Sequence, residues 1–223
     1  MPILAVDTSG KHGSVALARC GPDHACQVLE LVALSGGTFS AELVPQIAAL
    51  LTRHGFIKED VSAFAVVSGP GSFTGLRIGL AVIKALAEVL EKPIAAVSLL
   101  EALACAGESR GRVTAALEAG RNEVFLGEYE VDGAIAHLIR EHLLHRDEWL
   151  GSAGEAKIIT PDQVLAEGAR AKGWRVVEVE RPRSDAIARL GWRKIAGGEG
   201  VSPEALEASY VGRSEADLFV KGN

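Results

Sequence analysis

The chain has 223 residues, 48% of them hydrophobic and 23% charged, with a formal net charge of −6. This is the make-up of one large globular domain or two small ones, without an apolar run clean enough to span a bilayer. The negative balance argues against a chain that grips a nucleic-acid backbone by itself, which needs clustered cations.

Met1 to Asp7 lacks the basic start and long apolar core of a signal peptide, so a cytoplasmic protein is expected. The three cysteines, Cys20, Cys26 and Cys105, are odd in number and lack ligand-type spacing. They read as reduced thiols. Cys20 and Cys26 flank the turn Gly21-Pro22-Asp23-His24. A hairpin would bring them close by coincidence of spacing rather than as a disulfide.

Three strands open the chain: Ile3 to Asp7, Ser14 to Arg19 and Gln27 to Leu34, joined by tight turns as an antiparallel meander. Ser40 offers an N-cap for a helix to Arg53, with Leu43, Ile47, Leu50 and Leu51 on one face. Pro45 should delay or kink it. A strand from Ala63 to Ser68 follows, then a glycine-rich loop, then an apolar helix to Leu90. Ile94 to Val97 reads as a strand and Leu99 to Ala106 as a helix.

The order then repeats. Strands are expected over Arg112 to Glu118, Glu123 to Val131 and Ile135 to Leu144, with a turn at Ala119-Gly120-Arg121-Asn122 and a hairpin signal at Asp132-Gly133. A helical turn at Asp147 to Leu150, a strand at Lys157 to Thr160, a helix at Asp162 to Lys172, a strand at Arg175 to Val179 and a helix at Ser184 to Ala196 complete it. Two such halves make an α/β, actin-like duplicated fold with two mixed-sheet subdomains. One mixed sheet with unrelated halves is the alternative. The expected divisions are residues 1–107, 108–200 and a tail, 201–223, packing back near Tyr210.

Ser68-Gly69-Pro70-Gly71-Ser72-Phe73-Thr74-Gly75-Leu76-Arg77-Ile78-Gly79 is the most distinctive stretch. A glycine loop at a helix N-terminus is an anion site in principle. No lysine follows Gly75, and Gly69, Gly71 and Gly75 miss the dinucleotide spacing. The loop therefore reads as structural, with Gly69, Gly71, Ser72, Thr74 and Gly75 fixing the helix start. In the helix, Arg77, Lys84, Glu88 and Glu91 share one narrow stripe and the rest is apolar or glycine. The Ser40–Arg53 helix is also apolar on more than one side. Together they suggest a patch that a partner covers; full burial inside the domain is the alternative.

Asp7-Thr8-Ser9-Gly10 and Glu118-Ala119-Gly120-Arg121 occupy the two hairpin positions where an actin-like ATPase holds phosphates. Asp7, Thr8, Ser9, Gly10, Glu118 and Arg121 are candidates for vestigial nucleotide or anion contacts. On one strand, His137 and His145 share a face and His142 lies opposite, so no metal site is expected. No nucleophile-type motif appears, and no catalytic residue is assigned.

Four blocks carry a resemblance: Ile3 to Ser9, Ser68 to Gly79, Ala115 to Phe125, and Tyr210-Val211-Gly212-Arg213. In order and spacing they resemble the bacterial TsaB (YeaZ) family of tRNA threonylcarbamoyladenosine biosynthesis proteins, within the Gcp/Kae1-like group. The resemblance implies an actin-like ATPase (ASKHA, ribonuclease H-like) fold without competent catalysis. It implies a scaffold and activator of the catalytic paralogue TsaD, joined by the ATPase TsaE. It also implies a homodimer when alone, tRNA contact only through the complex, and no membrane. The chain itself would require no cofactor, with ATP or ADP and Mg²⁺ left to the complex.

Pairing in the family uses the first two helices, here residues 40–53 and 74–90. The residues expected at that interface are Leu43, Ile47, Leu50, Leu51, Leu76, Leu80, Ile83, Lys84 and Ala87. The catalytic paralogue binds metal through two histidines on its first helix. Ser40 to Arg53 has none, and Phe39 stands where many relatives carry one. Glu118 stands where the family commonly carries Asp. A free-standing small-molecule kinase of the same fold is the second reading, and a glycoprotease-like metallopeptidase the third.

Overall fold

The computed structural model describes residues 1–22, 25–152 and 157–212. The first part of the chain runs β1 (Pro2–Asp7), β2 (Gly13–Cys20), β3 (Cys26–Leu34), α1 (Phe39–Arg53), β4 (Ala63–Gly69), α2 (Phe73–Leu90) and β5 (Ile94–Ser98). The second runs α3 (Leu99–Ala106), β6 (Gly111–Gly120), β7 (Glu123–Asp132), β8 (Ile135–His145), α4 (Arg146–Gly151), β9 (Lys157–Thr160), α5 (Gln163–Ala171), β10 (Val176–Glu178) and α6 (Ser184–Ala196).

Short turns join the first three strands, so they pair antiparallel, β1 with β2 and β2 with β3. Helical crossovers bring β4 and β5 in parallel, giving the order β3-β2-β1-β4-β5. The second sheet repeats every step. β6, β7 and β8 form the meander, β9 and β10 add in parallel, and the order is β10-β9-β6-β7-β8. Two identical connectivities make this the duplicated actin-like, ribonuclease H-like architecture, and the single-sheet alternative does not apply.

The halves exchange their third helices. One compact unit is Met1–Ser98 with Pro182–Ser209; the other is Leu99–Arg181 with the segment that starts at Tyr210. Divisions at residues 107 and 200 therefore give way to these. The reason lies in small residues. Ala16, Ala5, Ala65 and Ala95 stand side by side across the first sheet. This row lets α6 approach so closely that a Cβ on Gly191 would lie 2.4 Å from the Ala65 Cβ. In the other unit, α3 lies on β7, where a Cβ on Gly127 would lie 3.0 Å from the Leu100 Cβ.

The opposite face of the first sheet carries α1 and α2. A Cβ on Gly79 of α2 would meet the Val6 side chain at 3.5 Å, and Val6 alternates with Ala5 on β1. Every residue of β1 after Pro2 is buried, as expected for a strand covered on both faces. The second sheet buries Ala116, Val124, Leu126 and Ile158 with Trp149 of α4 and Leu165 and Ala169 of α5.

Three local expectations change. α1 begins at Phe39, so Ser40 lies inside the first turn, and the helix continues through Pro45. Pro45 sits on the exposed side, where water reaches the carbonyl that the missing N–H leaves. Cys20 and Cys26 form a disulfide, which corrects the reading of reduced thiols. They are directly opposed on β2 and β3 with Cα atoms 4.1 Å apart. Direct opposition in an antiparallel pair places two side chains next to each other. Asp23 and His24 of the intervening turn lie outside the described residues. The tail does return to the first sheet, bridging Val201 to Ile94 and donating Ser209 N–H to Ser68 O at 2.8 Å. Tyr210 is not buried there; it is 56% exposed. Gly212 O accepts Leu143 N–H of β8 at 3.0 Å, and Arg213 lies outside the described residues.

Candidate functional site

The site grows from the end of β1. Asp7, Thr8 and Ser9 are buried. Asp7 Oδ1 accepts Ser9 N–H at 2.8 Å and the Ser9 hydroxyl at 2.6 Å, closing a small turn on the carboxylate. The Thr8 hydroxyl donates to Gly75 O at 2.7 Å. Ser72 N–H donates to Ser9 O at 2.7 Å. The first hairpin and the glycine loop are thus one interlocked structure.

The loop's composition follows from that lock. A Cβ on Gly71 would stand 2.4 Å from Ser9 O, and one on Gly75 would stand 2.0 Å from Thr8 O. On Gly79, one turn on, a Cβ would stand 2.4 Å from Thr8 Oγ1. Backbone touches backbone here, and no side chain larger than hydrogen fits. Gly69 adopts φ +151° beside Ser209 O, and its bond to Pro70 is cis. Ser72 is the N-cap of α2, its Oγ accepting Gly75 N–H at 3.3 Å. Thr74 is exposed in the first turn. Gly69, Gly71, Ser72 and Gly75 therefore set where α2 begins, as the sequence suggests.

The Thr8 hydroxyl gives its proton to Gly75 O, and Asp7 Oδ1 holds Ser9. Gly10 is half-buried beyond them. At the second hairpin, Glu118 Oε1 accepts from Arg146 of α4 at 2.9 Å, and Glu118 N–H donates to Asp162 Oδ2 at 2.8 Å. Arg121 and Asn122 form a two-residue turn with φ of +51° and +63°, Arg121 exposed. Both candidate carboxylates thus have partners inside their own unit. Phe39 is buried against Gly13, where a Cβ would meet its ring at 2.8 Å.

The structure places the expected interface residues differently. Leu43, Ile47, Leu50 and Leu51 of α1 and Leu76, Leu80, Ile83 and Ala87 of α2 are all buried within their own unit. Lys84 alone of that set is exposed, its Nζ 3.5 Å from Glu204 O. The solvent side of the same helices is mixed, with apolar residues among Ser40, Thr52, Arg53, Thr74, Arg77, Lys84 and Glu88. On α1 the exposed apolar residues are Ala41, Val44, Pro45, Ala48 and Ala49, with Val44 52% exposed. On α2 the exposed apolar residues after Phe73 are Ala81, Ala85 and Val89, with Val89 74% exposed and Ile78 and Val82 half-buried. Phe73 is 54% exposed at the start of α2, under the guanidinium of Arg77 at 3.7 Å from the ring centre. The signal for this face was in the sequence. Arg77, Lys84 and Glu88 mark the outward direction, and Ala81 and Ala85 lie one turn from them.

Comparison with known proteins follows this geometry. The family described as TsaD, tRNA N6-adenosine threonylcarbamoyltransferase, matches residues 34–187. The solved structure of YeaZ from Pseudomonas aeruginosa superposes with a TM-score of 0.75 at 28% identity, covering 94% of this chain and 100% of that one. The tRNA threonylcarbamoyladenosine biosynthesis protein TsaB of Escherichia coli is 29% identical over 95% of this chain and 94% of its own length. TsaB of Bacillus subtilis is 33% identical over 97% of this chain and 96% of its own length. With its two meander-plus-crossover halves, its interlocked glycine loop and a match that runs almost end to end, this chain belongs to the TsaB (YeaZ) family of tRNA threonylcarbamoyladenosine biosynthesis proteins.

Proposed function

We propose that this chain is a non-catalytic subunit in the formation of N6-threonylcarbamoyladenosine in tRNA. In this reading it scaffolds and activates the threonylcarbamoyltransferase TsaD, with the ATPase TsaE joining the assembly in the cytoplasm. Alone it pairs with a second copy of itself; in the complex the same face takes the paralogue. ATP or ADP with Mg²⁺ belongs to the assembly, and tRNA reaches this chain only through it.

The observation that supports the reading is the set of apolar residues that α1 and α2 leave open to solvent, Val44, Ala48, Ala81, Ala85 and Val89, on neighbouring helices. Exposed contiguous apolar surface marks a protein–protein contact. The commitment of Thr8 and Asp7 to internal bonds supports the non-catalytic part. The test is co-expression with the paralogue of the same organism, followed by native mass measurement and a tRNA modification assay. Ala85→Glu and Val89→Glu should abolish co-purification and modification while circular dichroism stays unchanged. A complex that survives both substitutions puts the partner elsewhere. Turnover of ATP by this chain alone, lost in Asp7→Ala, would overturn the non-catalytic reading.

A further inference from the structure

We propose that Cys20 and Cys26 form a reversible thiol–disulfide exchange site in which Cys26 is the sulfur that small thiols attack. The two residues are the last register pair before the turn of the β2–β3 hairpin, so this hairpin alone brings their sulfurs together. Their surroundings differ. Cys20 is 1% exposed, on a strand with neighbours on both sides. Cys26 is half-buried and opens β3, the edge strand of the sheet, next to exposed Ala25. An attacking thiolate needs access to one sulfur while the other departs. As a residue Cys26 is the more exposed of the two. In a reducing compartment a disulfide is transient or redox-sensing rather than a permanent staple; this step rests on the cytoplasmic location proposed above.

The exchange is written for a low-molecular-weight thiol RSH such as glutathione. RS⁻ bonds to Cys26 Sγ, the Cys20–Cys26 bond breaks, and Cys20 departs as a thiolate that takes up a proton. A second RS⁻ attacks the R sulfur of the mixed disulfide, releasing the Cys26 thiolate, which is protonated in turn. The protein gains two electrons and two protons, and two RSH become RSSR. Oxidation is the reverse, with RSSR as the oxidant. The state of the pair is reported by α6, because the Trp192 indole N–H donates to Gly21 O in the tied turn at 2.9 Å.

The full-length protein is equilibrated in buffers of reduced and oxidised glutathione, approached from both sides. It is quenched with acid, alkylated and weighed intact. Of the three cysteines, Cys20 and Cys26 should gain or lose alkylation together at one midpoint, with a parallel change in Trp192 fluorescence. Cys20→Ser should trap glutathione on Cys26, and Cys26→Ser should trap at least about tenfold less on Cys20, following access. Three results count against the proposal. A pair that stays reduced in glutathione disulfide never closes. A pair that stays closed in excess thiol until denaturant is added is an inert structural staple. Equal trapping in the two variants removes the assignment of Cys26 as the attacked sulfur.

Discussion

Thr8 and Gly75 are 67 residues apart in sequence, yet the threonine hydroxyl donates to the glycine carbonyl at 2.7 Å. Gly75 itself admits no Cβ, because one there would stand 2.0 Å from a different carbonyl, Thr8 O. The two positions therefore differ in what a substitution costs. Gly75→Ala forces backbone away from backbone and should destabilise by about 3 kcal/mol or more. Thr8→Val keeps the shape and removes one hydrogen bond, for roughly 1 kcal/mol. Urea unfolding of both variants checks this. The midpoints should fall in that order with unchanged slope.

A second long-range pair holds α6. The Ser14 and Ser184 hydroxyls lie 2.9 Å apart across 170 residues of sequence. Ser184 N–H donates to Ser14 Oγ at 3.0 Å, and Ser184 Oγ donates to Ser14 O at 2.7 Å. Both residues are buried. Removing one partner strands the other, so Ser14→Ala and Ser184→Ala should each cost roughly 1–3 kcal/mol. The double variant should cost less than the sum of the singles, because the second loss finds no bond to break. Chemical denaturation of all four proteins gives the coupling; strict additivity would show that the hydroxyls act separately.

These two pairs mark the line between what sequence makes legible and what it does not. The meander, the crossovers and nearly every helix follow from local periodicity and turn residues. Ser72 as the cap of α2 is a local signal, and so is the glycine loop. Thr8 over Gly75 is not, because it depends on β1 and β4 lying side by side. The exchange of α3 and α6 is hidden for the same reason. Gly191 in a helix reads as a weakness until the alanine row beneath it is known. The disulfide was missed on composition, since an odd cysteine count says nothing of register. Periodicity picks out the most apolar residues of α1 and α2, and those residues are buried within their own unit.

Glu30 gives the pH response. The guanidinium of Arg53 bonds it at 2.7 Å and His54 at 2.8 Å, and these contacts hold its carboxyl below the ordinary 4.5, Arg53 first. A carboxyl lowered in the folded state adds stability above its unfolded pKa, and that part is lost as pH falls through the folded value. Glu30→Gln should therefore leave a smaller drop in unfolding midpoint between pH 6 and an acidic pH below the usual carboxylate range. The pair is at the surface, so added salt should shrink the difference between the two proteins. A drop of the same size in both would remove Glu30 from the acid response.

The two sides of α2 make opposite predictions for the same substitution. Ile83 is fully buried and Val89 is 74% exposed, six residues apart on one helix. Ile83→Glu puts an unpaired charge into the core and should cost about 3–5 kcal/mol, enough to unfold many domains of this size. Val89→Glu meets water and should change stability by no more than roughly 0.5 kcal/mol. Loss of partner binding in Ile83→Glu would then report unfolding, while the same loss in Val89→Glu would report the surface itself. Thermal unfolding of each variant, beside co-purification with the paralogue, separates the two. A Val89→Glu protein that melts like Ile83→Glu would mean that this side of α2 is core as well.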